Sequence, residues 1–291
     1  MKIFLLHPAT FKLDGGAMFG IIPKPLWSKK ISPDQLNRIE MSLRVVLIEL
    51  EERKILIDTG IGDYHSDKFN QQFAISSTKS PLTQILLSHL KLNPEEITDI
   101  ILTHLHFDHV GGLGTIRNEQ RQLLFPNATI HVHKKHYEYA LNPTQRDKGS
   151  FQDHFFAPLL NDYANKGQLN LIEKTEGTLI KTKDETIDFK VSFGHTPYMI
   201  HPIFKNYIYM ADLVPMSHHV KIPWVMGYDI EPGITTQYKE KFYKYIMQNN
   251  LKMIFEHDSL TWGGRLKINE KEQFELTDPY QSKQESIQQL E

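Results

Sequence analysis

Short apolar runs separated by polar turns dominate this chain, and most of them alternate or are continuously apolar in the manner of strands rather than helices. Residues 2–13 form such a run, broken at Pro8, which an edge strand tolerates better than a central one. The runs 42–50 and 54–58, parted by Glu51-Glu52-Arg53, predict a hairpin. Residues 96–102 are apolar and β-branched and predict a buried strand, and 128–133 alternates as another. Helical spacing predicts helices over 81–90, with Pro at the start, 135–141, ended by Asn142-Pro143, and 235–249. A further helix is expected in 150–167, where Phe151, Phe155, Phe156, Leu159 and Leu160 suit a lid. The second half repeats the first in outline, with strands near 169–172, 186–193, 199–204 and 207–210. Two stretches carry little pattern: 64–79, and the polar tail 267–291, which is expected to fray at its end. Residues 14–20 are Gly-rich without the spacing of a phosphate loop and read as a flexible loop, leaving Met18, Phe19 and Trp27 for a pocket wall or for the core.

The polar side chains with chemistry start where strands stop. Thr103-His104-Leu105-His106-Phe107-Asp108-His109 follows the run 96–102, and in open α/β sheets that carboxyl edge is where ligands gather. Three imidazoles and a carboxylate within six positions are poor core material unless something satisfies their polar atoms, and a metal would. A chance H-x-H-x-D-H match is on the order of a few in a thousand. Three more runs end the same way: 188–191 before His195, 207–211 before Asp212, and 251–256 before His257. Asp58-Thr59-Gly60 also closes a run, with Asp58 either orienting a metal-binding loop from behind or capping a turn. His131, His133, His136 and His154 share no tight ligand spacing and read as packed or surface residues. Of His218 and His219 at most one faces a site, and Trp224, Tyr228 and Trp262 suit a pocket wall but as single aromatics read first as core.

Composition narrows the chemistry. With 33 Lys+Arg against 35 Asp+Glu the net charge is -2, which offers no basic stripe for nucleic acid. The chain has no cysteine, so any metal must be held by His and carboxylates, and the reading fits a reducing, cytoplasmic setting. No stretch approaches the roughly 20 apolar residues of a membrane span. At 291 residues, 40% of them hydrophobic, the chain is read as a single globular domain, 1–291.

Taken together, His104, His106, Asp108, His109, His195, Asp212 and His257 resemble the dinuclear site of the metallo-β-lactamase superfamily, in order and in spread, over 44–258. Asp58-Thr59-Gly60 matches a further motif of that family. The resemblance implies an α/β fold, a four-layer αββα sandwich with two mixed sheets flanked by helices. It implies His104, His106 and His195 on one metal, Asp108, His109 and His257 on the other, and Asp212 bridging. The chain looks most like the lactonase-type hydrolases, because every implied ligand is His or Asp and Asp212 replaces the cysteine of many true β-lactamases. It departs at Gly194-His195-Thr196-Pro197-Tyr198-Met199, where relatives often read Gly-His-Thr-Pro-Gly-His.

Two divalent ions, roughly 3.5 to 4 Å apart in such sites, lower the pKa of a shared water toward about 7, so that a metal-bound hydroxide can attack an ester, lactone or related small molecule. Asp108 is then placed to take the water's proton and pass it to the leaving group. Sulfur-free nitrogen and oxygen ligation suits two Zn and is compatible with Mn or Fe. The expected partner is a small-molecule substrate rather than nucleic acid or a membrane. The alternatives are an iron-dependent oxygen- or sulfur-handling enzyme on the same scaffold, a nuclease of the superfamily, and a non-catalytic metal-binding protein.

Overall fold

In the strand Lys2–Leu6, Ile3 and Leu5 turn to one face and Phe4 and Leu6 to the other, and all four are buried. The same alternation holds in Val45–Leu50 and Arg53–Ile57, so this sheet is covered on both sides. The computed structural model describes residues 1–77, 81–283 and 285–291. Its first seven-stranded sheet runs in the order Leu169–Ile172, Thr129–His133, Asp99–Ile101, Arg53–Ile57, Val45–Leu50, Lys2–Leu6, Ile287–Leu290. The second runs Glu176–Lys181, Thr186–Ser192, Met199–Phe204, Tyr207–Tyr209, Lys252–Ile254, Thr261–Ile268, Phe274–Gln281.

One face of the first sheet packs against the second through Ile3, Val46, Ile48, Ile57, Ile208 and Met253. The other face receives the helices Pro81–Leu90 and Asp153–Asn165. The helix Pro232–Gln248 buries Phe242, Tyr243 and Ile246 against the second sheet. The layers are therefore helix, sheet, sheet, helix, as expected for an αββα sandwich.

Strand direction is what positions the site. Arg53–Ile57, Asp99–Ile101 and Thr129–His133 are parallel neighbours, and so are Tyr207–Tyr209 and Lys252–Ile254. Thr186–Ser192 runs the same way as Tyr207–Tyr209, because each is antiparallel to Met199–Phe204, which lies between them. Carboxyl ends thus collect at one edge within each sheet.

Several expectations need correction. The stretch 267–291 does not fray as a polar tail: it contains Phe274–Gln281, paired along Thr261–Ile268, and Ile287–Leu290, paired along Lys2–Leu6. These are border strands with one face in solvent, so their pattern is polar overall, yet Leu290 is buried and Phe274, Leu276 and Tyr280 pack on the core. Because Ile287–Leu290 lies outside it, Lys2–Leu6 is not an edge strand, and the chain leaves it before Pro8. Residues 15–19 form a short helix, capped by Asp14, whose Oδ1 accepts from Ala17 N at 2.8 Å. The helix Asp153–Asn165 is no lid, since Phe155, Phe156, Leu159 and Leu160 are all buried in the core. Within 64–79 a helix forms at Asp67–Gln72, while residues 78 and 79 lie outside the described residues. No helix among the described residues is long and apolar enough to cross a membrane.

Candidate metal centre

The loop after Asp99–Ile101 descends onto the loop after Arg53–Ile57 because two glycines let it. A Cβ on Gly111 would stand 2.1 Å from Ile61 O, and one on Gly112 2.1 Å from Thr59 O, so no other residue fits that approach. Thr59 then donates from both N and Oγ1 to His109 O, at 2.8 and 2.9 Å. The short helix Phe107–Val110 starts there and carries Asp108 and His109, with His106 just before it. Across the cleft, His195 follows Thr186–Ser192, Asp212 sits in the turn Ala211–Leu213, and His257 follows Lys252–Ile254. Arg44, wholly buried, fixes the last of these loops by donating to the carbonyls of Phe255, Glu256 and Asp258 and to Ser282 Oγ.

All seven residues singled out in the sequence meet here, and all are buried. His104, His106, His195 and Asp212 form one set of donors and Asp108, His109 and His257 another. Asp212 faces both: its Oδ2 lies 3.1 Å from His195 Nε2 and 3.8 Å from His104 Nε2, and its Oδ1 lies 3.1 Å from His257 Nε2. Asp108 Oδ2 is 3.9 Å from His109 Nε2 and 3.7 Å from His257 Nε2.

The outward-facing nitrogens of these rings are engaged except in His106, whose Nε2 is buried without a hydrogen-bond partner. His195 Nδ1 donates to Asp229 Oδ1 at 2.9 Å, His257 Nδ1 to Ser42 O at 2.9 Å, and His109 Nδ1 to Asp58 Oδ2 at 3.1 Å. Thr103 Oγ1 spends its hydrogen on Asp58 Oδ2 at 2.7 Å and so accepts from His104 Nδ1 at 3.0 Å. Each of those imidazoles in its neutral form therefore turns a bare Nε2 lone pair into the site. His106 Nδ1 lies 3.1 Å from His104 Nε2 and 3.2 Å from His195 Nε2. Lone pairs at that distance repel unless a cation stands between them, and a tetrahedral ion with metal–nitrogen bonds of 2.0–2.1 Å has ligand edges of about 3.3 Å. His109 Nε2 and Asp212 Oδ1 are buried without a hydrogen-bond partner. The residues fit divalent metal ions.

Without ions, protons do that work. Burial opposes charge on His195, but the carboxylates of Asp212 and Asp229 hold it up at about 9. Burial likewise opposes charge on His257, and Asp212 and Glu256 hold it at about 9. Burial and neighbouring imidazoles push His104 and His106 well below the ordinary histidine range. Ligation needs His195 and His257 neutral, so ion uptake should release protons and tighten as pH rises toward 9. Their folded values lie above the ordinary 6.5, so the stability they lend the ion-free protein is complete below about 6.5 and lost as pH rises through about 9. Melting of chelator-treated protein should accordingly fall between pH 7 and 9; a midpoint that rises over that window would contradict this.

The cleft above the donors has a volume of about 340 Å³. Its wall is apolar at Leu13, Met18, Met41, Phe73 and Met226, and polar at Arg146 and Tyr228. Arg146 Nη2 donates to Gly227 O at 2.6 Å and Asp229 O at 3.2 Å, tying the 142–152 loop to the segment that orients His195. Met18 is thus a wall residue, while Phe19 and Trp27 stack on each other in the core. Tyr228, read as core, faces the cleft. His219 stays behind the wall, its Nε2 bonded to Met18 O at 2.8 Å.

Sequence reasoning left Asp58 open between two roles, and the structure places it behind His109. It missed Asp229, Glu256 and Ser42, whose positions carry no signal in the chain beyond residue type. It also missed His136, which accepts from Leu105 N at 2.8 Å through Nε2 and donates to Pro197 O at 2.7 Å through Nδ1, clamping the two ligand loops together. His131 bonds Asp99, His133 stacks on Tyr198 and His154 is exposed, so none of these three joins the site.

Comparison with known proteins agrees with the geometry. An N-acyl homoserine lactonase of Bacillus cereus is 30% identical over 112 residues, 36% of this chain and 41% of that one. A probable metallo-hydrolase of Methanocaldococcus jannaschii is 26% identical over 134 residues, 46% of this chain and 45% of that one. The matched segments thus span less than half the length of these curated relatives. Over whole chains, the crystal structure of a probable metal-dependent hydrolase from Staphylococcus aureus superposes with a TM-score of 0.78 at 26% identity, covering 95% of this chain and 96% of that one. A dizinc quorum-quenching lactonase shares the fold with a TM-score of 0.72 at 21% identity, covering 94% and 93%. The family model described as Metallo-beta-lactamase superfamily matches residues 44–257, from the arginine that anchors the last ligand loop to the last ligand-type histidine. With that match extending over well over half of its 291 residues, this chain belongs to the metallo-beta-lactamase superfamily.

Proposed function

We propose that this protein is a metal-dependent hydrolase of a small-molecule ester or lactone, with His104, His106 and His195 holding one divalent ion, Asp108, His109 and His257 a second, and Asp212 shared between them. The observation that carries this is Asp212, one carboxylate with an oxygen 3.1 Å from a histidine of each set. Nitrogen and oxygen donors without sulfur favour zinc. Ions bound there supply Lewis acidity and bring the pKa of water toward about 7.

The chain's own residues do the rest. Asp58, Asp229, Thr103 and the Ser42 carbonyl hold the imidazoles in one tautomer, so the donors need no rearrangement when the site fills. Asp108 lines the cleft, where its carboxylate takes the proton of the attacking water and returns it to the departing oxygen. Met18, Met41, Phe73 and Met226 give an acyl group an apolar seat and keep bulk water from the reacting carbonyl.

Zinc-loaded protein assayed on lactones, thioesters, aryl esters and phosphotriesters tests the reading. Turnover of a lactone or ester, lost in His106→Ala, is expected. Failure on every substrate, or full activity in that variant, would overturn it; iron with oxygen-dependent turnover would replace it.

A further inference from the structure

Behind His109 stand two carboxylates, and only one of them has the hydrogen. Asp58 Oδ2 accepts from His109 Nδ1 at 3.1 Å, and Thr103 satisfies Asp58 further through N, 2.8 Å from Oδ1, and Oγ1, 2.7 Å from Oδ2. Glu256 Oε2 is as near to the same nitrogen, at 3.0 Å, but off the line of its N–H bond. Glu256 is completely buried, and neither of its oxygens accepts a hydrogen bond among the described residues. The adjacent Tyr209 hydroxyl lies within reach of Glu256, but its single hydrogen goes to Arg44 O at 2.7 Å. Nor does Arg44 pair with the Glu256 carboxylate, since its Nη atoms are spent on the carbonyls of Phe255, Glu256 and Asp258 and on Ser282 Oγ.

A buried, unbonded carboxylate is costly, and it persists where an opposite charge offsets it. The imidazoles of His109 and His257 face Glu256 and offset its charge in the ion-free protein, and a divalent ion held by their other nitrogens would take over that role. We propose that Glu256 is a positioning residue for the ion of the Asp108, His109 and His257 set: its charge acts through the His109 imidazole, making Nε2 a stronger donor and offsetting the charge of the ion. This rests on the two-ion reading above.

The isosteric Glu256→Gln separates this from a packing role by the difference between its effects in two states. Zinc titration of ion-free protein against a chromophoric chelator should show one of the two sites losing about 10- to 100-fold in affinity. Calorimetric melting should fall more for the zinc-loaded variant than for the ion-free one, each against wild type in the same state, because the variant gives up affinity for the ion as well as contact with the imidazoles. Glu256→Asp, which keeps the charge, should recover part of the affinity. Wild type and Glu256→Gln both binding two zinc ions with equal affinities would overturn the inference alone. So would a Glu256→Gln that loses the same melting temperature in both states or does not fold, since that is what simple packing predicts. A wild type that binds only one zinc ion would overturn the two-ion reading along with it.

Discussion

Replacing Asp212 with alanine should lower hydrolysis by at least about 100-fold, the scale on which enzymes lose a single group that stabilises developing charge, and should leave the protein holding at most one ion. Among the described residues no other carboxylate in the cleft faces both donor sets. Its Oδ2 lies 3.1 Å from His195 Nε2 and 3.6 Å from His109 Nε2, and its Oδ1 lies 3.1 Å from His257 Nε2. Burial would raise its pKa, but the facing imidazoles of His257 and His195 pull it well below the usual carboxylate range, so it is charged throughout the working pH range. Alanine removes that charge and leaves the imidazole donors with nothing between the sets to balance paired cations. kcat/KM and elemental analysis on the same preparation check this. Two equivalents of metal together with wild-type turnover in the variant would refute the shared role.

Asp108→Asn should lower kcat by about 100- to 10,000-fold, the range for removing a positioned proton carrier, with a much smaller change in KM. Asparagine keeps an oxygen where Asp108 faces His109 and His257, so ligation survives better than proton transfer. The loss should depend on the departing oxygen: a p-nitrophenyl ester, which leaves without a proton, should suffer less than an alkyl ester or lactone. Equal losses across leaving groups would place Asp108 in metal holding alone.

What could be read from the chain was whatever is local. The run from Thr103 to His109 announces itself because four functional side chains lie within six positions, and the hairpin of Val45–Leu50 with Arg53–Ile57 because two apolar runs flank a short polar break. Arg44, Asp229 and His136 act across the fold instead. Arg44 serves a loop more than 200 positions away, and Asp229 lies 34 positions from the histidine it orients. Phe274–Gln281 looked like a tail because a border strand shows solvent a polar face, and Asp153–Asn165 looked like a lid because an apolar helix face fits either role until its partner is known.

Elemental analysis of protein expressed with ample metal and then freed of loosely bound ions tests the convergence of the seven side chains most directly. Two equivalents of a divalent metal per chain, zinc foremost, are predicted, and fewer than one equivalent would contradict the site.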